Sequence, residues 1–210
     1  TRDFGKTGFN QTKNYLAANN IASFGDYFNN EKISAIENIN GIKIGFIGYN
    51  TLVNSSIDQI IAEIKKIKAK TDFAIVFVHW GNEYQSSFSA NQQAMGRQFI
   101  DAGADIVIGS HPHVVEPIEI YQNKPIFYSL GNFIFDQIFS EQVQQSLMLS
   151  MVFQKDTIEI AINPLQNKNF VVNYVDSAAK IQRLKNLAEQ SVAAANFKQQ
   201  ILDGRLTIKN

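Results

Sequence analysis

The segment Phe73-Ala74-Ile75-Val76-Phe77-Val78 is an unbroken apolar run of β-branched and aromatic residues. Such a run fits a strand covered on both faces of a sheet, not one with a wet face. The next periodic segment, Ser89 to Ala102, is helical, with Ser89 as N-cap and Gly103 as stop. Asp105-Ile106-Val107-Ile108 then repeats the buried-strand pattern. Two strand, loop, helix units in series require right-handed crossovers, so this region predicts a largely parallel sheet and an α/β fold.

The flanking segments extend that alternation. Gly8 to Asn20 predicts a helix with Phe9, Tyr15 and Leu16 facing inward, and Gly41 to Tyr49 a strand that begins amphipathic and becomes buried. Ile57, Ile60, Ile61, Ile64 and Ile67 recur at helical spacing behind a cap at Ser55 or Ser56, with Lys65, Lys66, Lys68 and Lys70 on the solvated side. Downstream, Pro125 to Ser129 is a strand. Ser146 to Phe153 and Thr157 to Asn163 form an antiparallel hairpin around Lys155-Asp156, and Phe170 to Val175 adds a strand. Asp176 or Ser177 caps a last helix carrying Ile181, Leu184, Leu187 and Val192, and the polar tail from Asp203 is expected to be loosely held. The division expected is one main domain over 1–175 and a C-terminal helix and tail over 176–210.

Composition removes several function classes. Nineteen basic and nineteen acidic side chains cancel over 210 residues, and no basic run appears, so nucleic acid is not an expected partner. The chain has no cysteine, which excludes thiolate ligands, disulfides and a thiol nucleophile. No apolar run approaches the ~18 residues of a membrane span.

What remains is histidine chemistry. All three histidines fall in two loops that follow the apolar strands, Val78-His79-Trp80-Gly81-Asn82-Glu83-Tyr84 and Gly109-Ser110-His111-Pro112-His113. Parallel strands deliver both loops to the same sheet edge, where open α/β sheets keep their ligands. Proline fixes its own backbone angle and favours an extended His111, while Gly109 permits a tight exit from its strand. His79, His111 and His113 are therefore the candidate metal ligands. Asn82, Glu83, Glu116, Asn132 and Asp136 are the oxygen donors nearest in sequence, although loop capping is the plainer role, and the favoured one for Glu116.

The motifs His79 to Tyr84, Asp101-Ala102-Gly103-Ala104-Asp105, Gly109 to His113 and Tyr128-Ser129-Leu130-Gly131-Asn132-Phe133-Ile134-Phe135-Asp136, in this order, closely resemble the CapA-type poly-γ-glutamate capsule synthesis proteins. Those belong to the calcineurin-like metallophosphoesterase superfamily. The resemblance runs from about Thr1 to Asp136. It implies a layered α/β sandwich of the metallophosphoesterase type, here partial because the family's N-terminal strands are expected to precede Thr1, with the β-hairpin and helix at the C-terminal end. It also implies two divalent metal ions (Mn, Zn or Fe), with His79 as the single-histidine ligand and His111 and His113 as the paired ligands. Trp80, Glu83, Tyr84 and Asn132 are the expected substrate contacts. Asp3 lies beside the family's missing Asn-Asn-His triplet, with a turn or capping role as its plainer reading.

The implied function is metal-dependent hydrolysis or transfer in the biosynthesis of an anionic cell-surface polymer. The partner is the polymer or its precursor, the location is outside the cytoplasmic membrane, and the parent protein is membrane-anchored. The alternative is a non-catalytic polymer-binding or scaffolding part of a capsule assembly. Without the first strands, the chain is expected to be inactive alone and either to self-associate or to be covered by another segment.

Overall fold

A computed structural model describes residues 4–26, 33–53 and 56–209. The calls on Asp3 and on Ser55 lie outside them.

The first sheet is built on the two apolar strands read from the sequence. It contains β1 (Ser34–Ile39), β2 (Ile42–Asn50), β3 (Phe73–His79), β4 (Ile106–Ser110), β5 (Ile118–Tyr121) and β6 (Lys124–Phe127), in the order β1-β2-β3-β4-β6-β5. The four central strands β2, β3, β4 and β6 are parallel, and β1 and β5 close the edges antiparallel. Helices α2 (Ile57–Lys68) and α3 (Ala90–Asp101) cover one face, where Ile60, Ile64, Ile67, Phe99 and Ile100 pack on Ile47, Val76, Val78 and Val107. Ser89 starts α3 with a full capping box: its hydroxyl accepts from Gln92 N, and Gln92 Oε1 accepts from Ser89 N.

The second sheet lies over the other face. Strands β7 (Gln145–Gln154) and β8 (Thr157–Lys168) form the expected hairpin, and β9 (Val171–Tyr174) and β10 (Arg205–Lys209) both pair with β8. Alternation places Ile158, Ile160 and Ile162 of β8 against Ile75, Ile106 and Phe127 of the first sheet. Helices α4 (Ser177–Gln190) and α5 (Ala195–Leu202) contribute Leu184, Leu187 and Ile201 to the same core. Asp176 caps α4 by accepting from Ala179 N. Helices, first sheet and second sheet make the layered α/β sandwich.

Several expectations need correction. Helix α1 (Gly5–Ala18) buries none of its residues, and Tyr15, expected inward, is 74% exposed. Phe77 of β3 faces an apolar cavity between the sheets and is partly exposed, so the strand is covered fully on the helical face only. Lys68 leaves the solvated stripe of α2 to pair with the buried Asp105 at 2.8 Å, which Lys124 also reaches at 2.9 Å. Ile181 points to solvent and Val192 lies beyond α4. The tail is not loose. Leu206 and Ile208 of β10 are buried in the inter-sheet core because β8 offers that strand an open edge.

Candidate metal centre

Parallel pairing of β3 with β4 sets His79 opposite Ser110, so the two histidine loops leave the sheet side by side. Backbone bonds then tie them together. Trp80 N donates to Ser110 O at 3.0 Å, and Tyr84 N donates to Pro112 O at 2.8 Å. The ring centroids of His79 and His111 are 4.5 Å apart, and those of His111 and His113 are 5.9 Å apart.

His111 is not extended. It has φ +103° and His113 φ +63°, so the reversal out of β4 is made by two left-handed histidines rather than by Gly109. Non-glycine residues in that region cost roughly 1–3 kcal/mol, and they persist where surrounding structure overrides the preference. Gly109 is required for a different reason. A Cβ there would fall on the Tyr128 carbonyl and against Trp80 Nε1.

Hydrogen bonding selects the tautomers. Asn132 Nδ2 donates to Val143 O at 3.1 Å and to Gln137 Oε1 at 3.3 Å, which turns its Oδ1 toward His113 Nδ1 at 2.8 Å. An amide oxygen only accepts, so His113 Nδ1 carries a hydrogen, and Nε2, 3.8 Å from Glu83 Oε1, is the nitrogen left for a metal in the neutral ring. For His79, the Ser110 hydroxyl gives its hydrogen to Val78 O at 3.3 Å and can only accept from His79 Nδ1 at 3.4 Å. His79 Nε2 is thus a buried lone pair without a hydrogen-bond partner. Burial first, then the neighbouring His111, pushes the His79 imidazole down to about 4, and burial also lowers His111. Both rings are therefore neutral near pH 7, the state in which imidazole binds metals.

Glu83, His111 and His113 each place a ligand atom within 4.8 Å of the other two. Glu83, one of the oxygen donors offered by the sequence and also an expected substrate contact, lies among the possible ligands. His79 stands against His111 at the margin of this group. Tyr84 is 42% exposed and stacks on His113, with its hydroxyl accepting from Gln137 Nε2 at 2.9 Å. Trp80, at 1% exposure, offers no surface to a polymer. It packs under the loop, and its indole N–H donates to Tyr128 O at 2.8 Å. Asn132 is buried, with its amide oxygen held on His113 Nδ1. Asn82 and Asp136 are exposed, and Glu116 lies apart beneath Gln92. The sequence reading missed Gln137. Nothing in its local pattern signals that one amide would brace both Asn132 and Tyr84.

Comparison with known proteins bears on the same residues. Over residues 1–137 the chain matches the family model for the bacterial capsule synthesis protein PGA_cap. It is 29% identical to the PGA biosynthesis protein CapA of Bacillus subtilis, covering 98% of this chain and 58% of that protein. It is also 29% identical to the capsule biosynthesis protein CapA of Bacillus anthracis, covering 99% of this chain and 55% of that one. The chain thus spans somewhat over half the length of these curated relatives. A structure of a phosphatase from Mycoplasma pneumoniae aligns over 68% of this chain and 54% of its own at 14% identity and TM-score 0.39, a likeness that fixes neither fold nor chemistry. The match across all four motifs and both histidine loops places this chain in the bacterial capsule synthesis protein family PGA_cap.

Proposed function

We propose that this chain supplies part of a metal-assisted hydrolase or transferase site that acts on an anionic cell-surface polymer or its precursor during capsule biosynthesis. The curated relatives named for PGA and capsule biosynthesis support the process. The observation that carries the chemistry is the buried, unpartnered Nε2 of His79 beside His111. A donor set of imidazole nitrogens and a carboxylate, with no thiolate in the chain, suits manganese, zinc or iron. His79, His111, His113 and Glu83 would hold the ion or ions. A bound ion supplies Lewis-acid polarisation of the scissile group and makes water acidic enough to attack near neutral pH.

The chain's own residues do the positioning. Asn132, clamped by Gln137 and Val143, fixes the tautomer of His113, and Ser110 does the same for His79. Tyr84 walls the site on its open side by stacking on His113. The location proposed is outside the cytoplasmic membrane, by likeness to the relatives. Among the described residues no helix is long and apolar enough to cross a membrane.

The first test is metal content. After loading with manganese or zinc and desalting, elemental analysis of the chain is expected to find bound metal, and the paired substitution His111→Ala with His113→Ala to abolish it. Absence of metal from the loaded parent would overturn the reading. A second reading, polymer binding without catalysis, is favoured by the exposed aromatics Tyr84, Phe135 and Phe139, which pack on His113 or on one another beside the cluster. Under that reading, capsule output in cells is unchanged by the paired histidine substitution.

A further inference from the structure

Glu116 takes no part in the histidine cluster, yet its carboxyl is incompletely satisfied. It is 1% exposed; Oε2 accepts from Gln92 Nε2 at 2.9 Å, while Oε1 has no hydrogen-bond partner. Ser146, 2% exposed, likewise leaves its hydroxyl unpartnered. A buried polar atom without a partner costs about 1–3 kcal/mol, so two in one wall are a specific feature that needs a cause.

Both residues line a cavity of about 300 Å³, together with Gln142, Arg183, Asn186 and Gln190, and none of the three histidines reaches it. Arg183 donates to Leu165 O at 2.9 Å and to Gln166 Oε1, which engages two of its five N–H groups. Among the described residues no ion pair joins Arg183 to a carboxylate, and Glu141 and Asp176 act on it only at longer range. The cavity lining therefore includes a carboxyl with no cation paired to it and a guanidinium with no carboxylate paired to it among the described residues, together with the amides of Gln142, Asn186 and Gln190. An anion alone would leave Glu116 unmatched, and a cation alone would leave Arg183 so. A molecule bearing both charges matches both.

We propose that this cavity binds a small zwitterion of the α-amino acid class, its ammonium against Glu116 and Ser146 and its carboxylate against Arg183. The volume accepts a side chain as well as the charged head, and the amides of Gln142, Asn186 and Gln190 favour a polar one. The site does not depend on the histidines or on any metal they hold.

Titration calorimetry of the chain with glycine and L-glutamine tests this, with propylammonium and butyrate as probes bearing one charge each. Binding of the amino acids is expected, with Glu116→Gln and Arg183→Met each weakening it by about tenfold or more and the singly charged probes binding at least about tenfold more weakly. Asn186→Trp, placed on the exposed rim of α4, is expected to abolish binding while circular dichroism remains that of the parent. No binding of either amino acid at about 10 mM, or affinity unchanged in both charge variants, overturns the proposal.

Discussion

Glu116 is the residue whose role the sequence concealed most completely. A glutamate just after a histidine loop and before a proline is most simply a capping or solvated side chain, and only the tertiary fold brings Gln92 and the cavity wall over it. Burial raises its carboxyl from the usual value of 4.5 to about 7. The folded chain therefore holds this proton more tightly than the unfolded chain does. Its favourable contribution is full below about pH 4.5 and is lost as pH rises through about 7, by no more than about 3 kcal/mol. Glu116→Gln keeps the shape and removes the charge. Urea unfolding is expected to show the variant equal to the parent near pH 4.5 and more stable by about 1–3 kcal/mol near pH 8. A difference that does not change with pH would show that the carboxyl is not buried in solution. The histidines were more legible, because ligand-type residues after apolar strands carry their own signal. Their left-handed backbone was not, since the proline rule argued for an extended His111 and the loop's bonds to Tyr84 and Trp80 override it.

At the scale of elements, legibility followed the strength of the local pattern. The strands β3 and β4 and the helix between them were readable because apolar runs, a serine cap and a glycine stop all agree. β5 was not, because Glu119 interrupts its apolar pattern; in the fold Arg97 pairs with that carboxylate at 2.5 Å and the Tyr128 hydroxyl donates to it at 2.6 Å. Nor was α1 placed correctly, since spacing alone cannot say whether a face has a neighbour to pack on. The close approach of β4 to the chain after β6 gives an element-level test. Trp80 reaches across Gly109 to the Tyr128 carbonyl, so Gly109→Ala forces strand backbone apart and breaks that bond. A loss of about 2–4 kcal/mol in urea unfolding is expected. Gly96→Ala is the control. Its Cβ would come no nearer than 3.1 Å to the Ile126 side chain, and its cost should stay near 1 kcal/mol or below.

For the whole molecule, the C-terminal residues decide whether the sandwich is one cooperative body. Arg205-Leu206-Thr207-Ile208-Lys209 is short and charged at both ends, and in isolation it resembles a polar tail. Paired with β8 it becomes an amphipathic edge strand, with Leu206 and Ile208 joining the same cluster as Ile75 and Ile106 of the first sheet and Leu184 of α4. That core buttresses the face of the first sheet opposite α2 and α3, and the same sheet carries both histidine loops on its strand ends. Stability at the tail and geometry at the loops are therefore coupled through one packed layer. Leu206→Ala, which leaves a cavity at a fully buried position, is expected to cost about 2–5 kcal/mol. Under the proposed metal-binding role, metal affinity measured by calorimetry is expected to be retained at temperatures well below the melt and lost together with the fold, because Leu206 belongs to the inter-sheet core and not to the loops that carry Glu83, His111 and His113. A cost below about 0.5 kcal/mol would show that β10 frays independently and that the cooperative core ends at α5.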